Sequence, residues 1–128
     1  MYQSLDLFQT ATAMARHAGA RQAVVATNIA NADTPGFVAQ QTKSFDTVYW
    51  GDGNSALKTT RAGHQTSAES IANGALTTAA QSPASPNGNS VSLEEEMLNA
   101  VSVSREHNRA LTIYRHTMTV LRTSLGRA

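Results

Sequence analysis

The sequence predicts an all-α protein in which two long terminal helices pack as an antiparallel, coiled-coil-like pair, joined by an irregular, loop-rich middle segment. Three observations predict this fold: an apolar stripe of helical period near each end, a Pro-Gly turn after the first stripe, and a middle segment that is poor in large apolar side chains. The predicted segments are a helix with its turn (residues 1–36), the middle (37–91, with short strands or disorder as alternatives) and a second helix (92–128).

The first helix is predicted from a stripe whose members are three or four residues apart, so that they share one helix face. Alanine dominates this face; it is the best helix former, and its small side chain lets another helix approach closely. We therefore expect the stripe to pack against a helix of the same chain or of a neighbouring subunit. Its members are Phe8, Ala11, Ala15, Ala18, Gln22, Val25, Ile29 and Ala32.

A ten-residue turn motif follows this stripe. Pro35 lacks the N–H group that a continuing helix needs, and it disfavours helical backbone angles at Thr34. The Pro35-Gly36 pair suits a type II turn, in which glycine supplies the positive φ angle. The motif consists of Asn28, Ile29, Ala30, Asn31, Ala32, Asp33, Thr34, Pro35, Gly36 and Phe37.

The middle of the chain offers little material for a core. Between Gly51 and Ser90 the only large apolar side chains are Leu57, Ile71 and Leu76. Ordering the backbone costs roughly 1–2 kcal/mol per residue, which so few apolar groups do not offset. This composition predicts a loop, a hairpin-like excursion or disorder. Four aromatic side chains just before it predict a small local core or a subunit contact: Phe37, Phe45, Tyr49 and Trp50.

The second helix is predicted from a longer stripe with alternating steps of four and three residues. Ser92 and Glu95 have the spacing of a capping box at its start. Glu94, Glu95 and Glu96 complement the helix dipole in the first turn, which is a simpler interpretation than catalytic carboxylates. The predicted packing face contains Leu93, Met97, Ala100, Ser104, His107, Leu111, Tyr114, Met118, Leu121 and Leu125.

Further apolar residues lie beside both stripes, and a single pair of helices would leave them in water. Exposed apolar width of this kind indicates neighbouring molecules, and contacts that do not close into a ring build a helical filament. The flanking residues are Met14 and Val24 on the first helix and Leu98, Val101, Ala110, Ile113 and Val120 on the second.

Composition argues against several classes of function. The formal net charge is +1 and the basic residues are scattered, which argues against nucleic-acid binding. The chain has no cysteine, no run of 18 apolar residues and no cleavable signal peptide pattern, so we expect no direct membrane insertion. The four histidines lack metal spacing, and no nucleophile elbow, phosphate loop or dinucleotide fingerprint occurs. We expect no enzyme activity, no metal and no cofactor.

Two segments resemble the flagellar basal-body rod protein family. The run from Asn28 to Phe37 is similar to the N-terminal signature of rod and hook proteins, and the run from Gly88 to Met97 resembles the start of their terminal helix. The short chain, Asp33 in the turn and the sequence of the second run are closest to the proximal rod proteins. The resemblance implies a structural subunit that polymerises through its terminal helices into the motor drive shaft in the periplasm.

The resemblance also implies partners and an export route. The implied partners are further copies of the chain, other rod proteins including FlgC, the adaptor FliE and the flagellar type III export apparatus, which exports rod proteins without cleaving a signal peptide. A FlgC-like proximal rod protein is the nearest alternative. A soluble helical adaptor or export chaperone could also use both stripes to hold a partner helix, although it has no need of the turn motif.

Overall fold

The computed structural model describes residues 2–50, 77–80 and 82–126. Helix α1 spans Tyr2–Ala30 and is followed by strand β1 (Gln40–Thr42) and the short helix α2 (Phe45–Trp50). Strand β2 (Thr77–Ala79) precedes the second long helix, α3 (Leu93–Ser124). The prediction of a loop or disorder in the middle falls largely on residues 51–76, which lie outside the described residues.

The two long helices pack along each other, as predicted. Their contacts run in opposite order along the two helices, because partners near the start of α1 come from the end of α3 and partners near its end come from the start of α3. In order along α1, the pairs are Phe8 with Tyr114, Arg21 with Glu106, and Asn28 with Glu96.

The buried line between the helices has a strict seven-residue repeat. On α1 the buried apolar residues are Ala11, Ala18 and Val25. A seven-residue repeat is the spacing at which two helices stay in contact along a common seam. Most of these side chains are small, which allows the helices to lie close together. The corresponding buried residues of α3 are Glu96, Val103, Ala110 and Thr117.

One line of the predicted α3 stripe, which runs through Met97, is displaced from this buried line by one residue, or roughly 100° around the helix. Leu93, Met97 and Leu125 are 49%, 59% and 75% exposed, so they lie outside the intramolecular seam. Ala110, predicted as a flanking residue, is instead completely buried within it. Small and polar residues fill the narrow seam, whereas the large apolar residues of the stripe are half-buried beside it, as Tyr114 and Leu121 are, or face outward, as Met97 does.

On α1 the predicted stripe coincides more nearly with the buried line than it does on α3. Ala11, Ala18 and Val25 are buried and Phe8 and Ala15 are half-buried, whereas Ile29 is 36% exposed. The side chain buried at this end is Asn28, with 0% exposure. The helix ends at Ala30, so the last member of the predicted stripe, Ala32, belongs to the turn.

The fold is mostly helical, and it contains one small two-stranded antiparallel sheet in addition to the helices. Strands β1 and β2 pair Gln40 with Ala79, Gln41 with Thr78 and Thr42 with Thr77. The sheet forms because Gln40 is also fixed to α1 by a side-chain hydrogen bond, which gives an otherwise isolated short strand a support. Among the described residues, no helix has the length and apolar character needed to cross a membrane.

Candidate functional site: the motif clasp and the outward face of α3

The turn motif forms the type of turn that its sequence predicts. The backbone N–H of Phe37 donates to the carbonyl of Thr34 across 3.3 Å, which places Pro35 and Gly36 at the two central positions. Gly36 has a φ angle of +72°, as expected for the third residue of a type II turn. The chain therefore leaves the helix pair sharply after α1.

Asn89 completes the end of α1 from a distant part of the chain. Its side-chain Nδ2 donates to the carbonyls of Asn31, Ala32 and Thr34 at 2.8–2.9 Å. Carbonyl groups after the last helical turn have no partner within the helix and need donors from elsewhere. The Asn89 side chain is buried, and its Oδ1 accepts a hydrogen bond from the N–H of Val91. A single amide thus holds the turn against the segment that leads into α3.

Backbone hydrogen bonds join the same two segments. The N–H of Gly36 donates to the carbonyl of Asn87, and the N–H of Ser90 donates to the carbonyl of Phe37, both at 3.0 Å. Gly88 has a φ angle of +80°, and a Cβ atom there would lie 3.3 Å from the Cα of Gly36. Glycine at both positions therefore permits a close backbone approach that larger residues would obstruct.

Asn28 connects α1, β1 and α3. Its Nδ2 donates to the carbonyl of Gln40 at 2.6 Å, and its Oδ1 accepts the N–H of Gln40 at 3.0 Å, so the side chain pairs with this residue as a neighbouring strand would. The same Nδ2 donates to Oε1 of Glu96 at 3.1 Å. These bonds satisfy every polar atom of the buried amide. We call the contacts of Asn28, Asn89, Glu96, Gly36 and Gly88 the motif clasp.

Glu96 is an unusual residue for such a position. Only 7% of it is exposed, and its Oε2 has no hydrogen-bond partner within the described part of the chain. Burial raises the pKa of this carboxyl, and the nearby charge of Glu95 acts in the same direction. The hydrogen bond from Asn28 and the nearby side-chain amide of Asn99 favour the charged form and oppose the rise in pKa. The clasp therefore contains a carboxyl whose charge is costly to the folded state.

The predicted capping box of Ser92 and Glu95 does not form. Ser92 has extended backbone angles, as an N-cap residue should, but its hydroxyl makes no hydrogen bond to the helix. Both side chains are exposed, so water competes for their polar groups. The backbone bond from the N–H of Glu96 to the carbonyl of Ser92 begins the helix, and the buried contacts of the clasp fix its position.

His17 lies under the short helix α2. Its Nε2 donates to the carbonyl of Lys43 at 3.1 Å, and its ring packs edge-on to Phe45 at 5.6 Å. Burial and the positive charge of Arg21 lower the pKa of His17. Nδ1 is buried without a hydrogen-bond partner among the described residues, which suits the neutral imidazole. This histidine supports α2 against α1.

The outward face of α3 is the second candidate site. It comprises Leu93, Met97, Leu98 and Val101, which are between 49% and 72% exposed. At about 100° per residue these four side chains occupy one arc of roughly 140°, on the side of the helix away from the buried seam. A cluster of large exposed apolar residues on one face marks a surface for contact with another molecule.

The structure thus brings the two sequence motifs together and separates the predicted packing residues into two groups. One group, which includes Ala100, Leu111, Tyr114, Met118 and Leu121, is half-buried near the seam. The other, Leu93, Met97 and Leu125, faces outward. Sequence reasoning missed the buried roles of Asn89, Glu96 and His17. For Glu96 the seven-residue spacing to Val103, Ala110 and Thr117 was an available signal.

The described residues hold no arrangement that suggests catalysis. No group of three or more His, Asp or Glu side chains in residues 2–50, 77–80 and 82–126 could hold a metal ion. Among the described residues, cavities of about 140 and 230 Å³ lie beside the seam, and the charged groups that line them include Arg21, Glu106 and Arg109. Arg21 and Glu106 are paired with each other at 2.6 Å, so their charges are already used for helix packing.

A long pair of helices, clasped at one end and apolar on an outward face, defines a structural subunit that assembles with other chains. Comparison with known proteins agrees with this class. A sequence model of the family described as "Flagella basal body rod protein" matches residues 9–37. The protein "Flagellar basal body rod protein FlgB" of Agrobacterium fabrum (strain C58 / ATCC 33970) is 34% identical over 110 residues, covering 83% of this chain and 82% of the relative.

The chain belongs to the flagellar basal-body rod protein family, and within it the chain is similar to FlgB. It is a structural subunit of the flagellar basal-body rod and not an enzyme. The matched segment covers α1 from residue 9 onward and the complete turn motif, which ends at Phe37.

Proposed function

We propose that the chain is a proximal rod subunit of the FlgB type, which polymerises through α1 and α3 to form part of the motor drive shaft. The outward face of α3 is the observation that carries this proposal. Leu98 is 72% exposed and Val101 is 50% exposed, although both lie on a well-formed helix. Leaving such side chains in water forgoes roughly 25 cal/mol for each Å² of apolar surface that a neighbouring subunit could cover.

The helix pair gives the assembly a rigid unit. The opposite order of contacts and the seven-residue repeat support an antiparallel, coiled-coil-like pair, with the pair as the shaft-forming part and residues 37–91 as the connecting segment. The motif clasp fixes the direction in which the connecting segment leaves the pair. Subunits whose connecting segments all leave the helix pair in one fixed direction can repeat regularly around the shaft.

Location and partners follow from this proposal. The subunit would reach the periplasm through the flagellar type III export apparatus without cleavage of a signal peptide. There it would contact further copies of itself, other rod proteins such as FlgC, and the adaptor FliE. The identity to FlgB over 110 residues favours the FlgB type over the FlgC type.

Substitution at Leu98 in the source bacterium tests the proposal. With the chromosomal copy deleted, a plasmid carries the wild-type chain, Leu98→Asp or the matched apolar control Leu98→Met. We expect purified basal bodies to contain the wild-type chain and the Leu98→Met variant but little of the Leu98→Asp variant. Cells that carry the wild-type chain or Leu98→Met should be motile, and cells that carry Leu98→Asp should be less motile. Because Leu98 is exposed, the Asp change should alter the free energy of unfolding by only about 0.5 kcal/mol.

Three results would count against the proposal. Normal incorporation of the Leu98→Asp chain would show that the outward face is not covered in the rod. Absence of the wild-type chain from purified basal bodies would refute a rod location. A stable soluble dimer of defined size that stays outside the basal body would favour the adaptor or chaperone alternative.

A further inference from the structure

The segment before α3 contains a tight turn that runs from Ser85 to Gly88. The backbone N–H of Gly88 donates to the carbonyl of Ser85 at 2.8 Å, which closes the turn. Pro86 and Gly88 occupy its second and fourth positions, where β-turns of the most common type favour proline and glycine. The third position is Asn87, which is exposed. The turn therefore presents an Asn-Gly dipeptide to water.

An Asn-Gly dipeptide can modify itself, because glycine has no side chain to obstruct attack by its backbone nitrogen. The nitrogen of Gly88 attacks Cγ of Asn87 and forms a five-membered succinimide ring. The new N–Cγ bond replaces the bond from Cγ to Nδ2, which leaves as ammonia with the proton that the Gly88 N–H releases. Water then opens the ring at either carbonyl. The products are aspartate and isoaspartate, and in isoaspartate the main chain passes through Cγ and is one atom longer.

Both polar groups of the peptide bond between Asn87 and Gly88 are held by hydrogen bonds. Its N–H donates to Ser85 at 2.8 Å, and its carbonyl accepts the N–H of Gly36 at 3.0 Å. The attacking nitrogen must give up the proton that the Ser85 carbonyl holds, so this bond is lost in the reaction. Ring closure also draws the peptide carbonyl into a ring with the side chain, which the bond to Gly36 opposes.

A third hydrogen bond restricts the side chain that would be attacked. Oδ1 of Asn87 accepts the N–H of Asn89 at 3.1 Å, in a local side-chain turn of the kind that asparagine readily forms. Asn89 is buried, and its own side chain donates to the carbonyl of Asn31 just after α1. The reacting groups of Asn87 and Gly88 are therefore bound to segments that meet when the motif clasp forms.

We propose that Asn87-Gly88 is a self-modification site that the motif clasp keeps closed. In the folded chain the dipeptide is protected by its hydrogen bonds, although water reaches it. In a chain whose clasp is open, the same dipeptide converts to aspartate and isoaspartate. The longer main chain of isoaspartate displaces the carbonyl that accepts the N–H of Gly36, so the modified chain cannot close the clasp again. This chemistry is independent of the rod function.

The rate of ammonia loss at Asn87 tests the proposal. Full-length protein is incubated in buffer with and without guanidinium chloride, its helicity is recorded by circular dichroism, and fragments from a glutamate-specific protease are followed by mass spectrometry. The fragment between Glu69 and Glu94 also contains Asn73-Gly74, which lies outside the described residues and serves as a reference for the denatured chain. We expect Asn87 to react at least about tenfold more slowly in buffer than in guanidinium chloride. Equal rates in the two solutions would overturn the proposal.

Variants that weaken the clasp from a distance separate its protection from the effect of local sequence. Asn28→Ala and Gly36→Ala leave the turn itself unchanged. Each should raise the rate at Asn87 severalfold in buffer and leave the rate in guanidinium chloride unchanged, because the reaction proceeds from the opened fraction of the chain. Asn31→Ala is the matched control, since its side-chain bond to the carbonyl of Thr27 is exposed, and its rate should equal that of the wild type. Wild-type rates in both clasp variants would contradict the proposal.

The effect of the modification on the clasp has a separate measurement. The wild-type chain is kept in guanidinium chloride until Asn87 has reacted, the isoaspartate form is isolated by chromatography, and its unfolding in buffer is measured. Asn87→Asp, treated for the same time, is the control, because it keeps the main-chain length and the Oδ1 acceptor and carries the same changes elsewhere. We expect the isoaspartate form to unfold at a lower denaturant concentration than Asn87→Asp. Equal stability of the two would show that the longer main chain still closes the clasp, and the proposal would be wrong.

Discussion

The side-chain amide of Asn28 donates to the carboxylate of Glu96 across 3.1 Å, joining the last turn of α1 to the first turn of α3 over a separation of 68 residues. Both side chains are buried, and the same amide also pairs with both backbone polar groups of Gln40. Buried polar networks of this kind are specific because each partner left without a hydrogen bond costs free energy. The contact therefore sets the alignment of the two helices.

Removal of the Asn28 side-chain amide should lower the free energy of unfolding. Asn28→Ala leaves the N–H and carbonyl of Gln40 and Oε1 of Glu96 without their partner, and we expect a loss of about 2–4 kcal/mol in the free energy of unfolding. Urea unfolding followed by circular dichroism at fixed protein concentration measures it. The matched control is Asn31→Ala in the same motif, whose side-chain bond to the carbonyl of Thr27 is exposed and should contribute less than about 1 kcal/mol. Equal losses for the two variants would contradict the central role of Asn28.

Glu96 should give stability a characteristic dependence on pH. Its pKa is raised in the folded state, so the folded protein holds this proton more tightly than the unfolded chain does. The resulting stabilisation is complete below the ordinary glutamate pKa and is lost as pH rises through the raised folded value. The wild type should therefore gain stability relative to Glu96→Gln as pH falls from 7 to 4. The exposed Glu94→Gln should leave that dependence unchanged, and a flat difference between wild type and Glu96→Gln would refute the assignment.

His17 should make stability depend on pH in the direction opposite to Glu96. Its pKa is lowered, so the unfolded chain binds this proton more readily, and stability is lost as pH falls from the ordinary histidine value of 6.5 towards the lower folded value. Unfolding measured between pH 7.5 and 5.5 should show this loss in the wild type. We expect a smaller loss in His17→Gln and an unchanged one in the exposed control His116→Gln. A larger loss in His17→Gln than in the wild type would mean that the histidine is charged in the fold.

Four glycines provide a graded test of the turn geometry. Gly36→Ala and Gly126→Ala place alanine at φ angles of +72° and +71° with open space around the new Cβ, so each should cost about 1–2 kcal/mol. Gly88→Ala adds a contact of 3.3 Å with the Cα of Gly36 and should cost more than either. Gly19→Ala lies inside α1 in open space and should stabilise the protein by about 0.5–1 kcal/mol. Thermal or urea unfolding gives the order, and a neutral Gly88→Ala would exclude the close approach.

The sequence was sufficient to predict both long helices and the turn after the first, because these features depend on local chemistry. Pro35 and Gly36 determine their own backbone angles, and helical periodicity is visible wherever it occurs. The face of α3 that packs against α1 could not be predicted in the same way. This helix carries two lines of seven-residue spacing, one through Val103 and one through Met97. The larger side chains belong to the Met97 line, whereas the buried residues belong to the Val103 line.

The motif clasp could not be predicted because its contacts depend on the distances between remote segments. Glu96 differs from Glu94 and Glu95 in the sequence only by its seven-residue spacing to Val103, yet it alone of the three is buried. Asn89 looks like an ordinary turn residue after Asn87 and Gly88. Its role becomes visible only when the end of α1 lies beside it.

The hydrogen bonds from Asn89 to the carbonyls of Asn31, Ala32 and Thr34 determine when the end of α1 can become fixed during folding. These acceptors lie 55–58 residues before their donor, so the carbonyl groups after α1 lack these hydrogen bonds until Asn89 is present. A nascent chain that has reached only residue 80 can form helical turns near its start but cannot lock the point where that helix stops. Both ends of the subunit should therefore become fixed in one cooperative step, once the second motif is available.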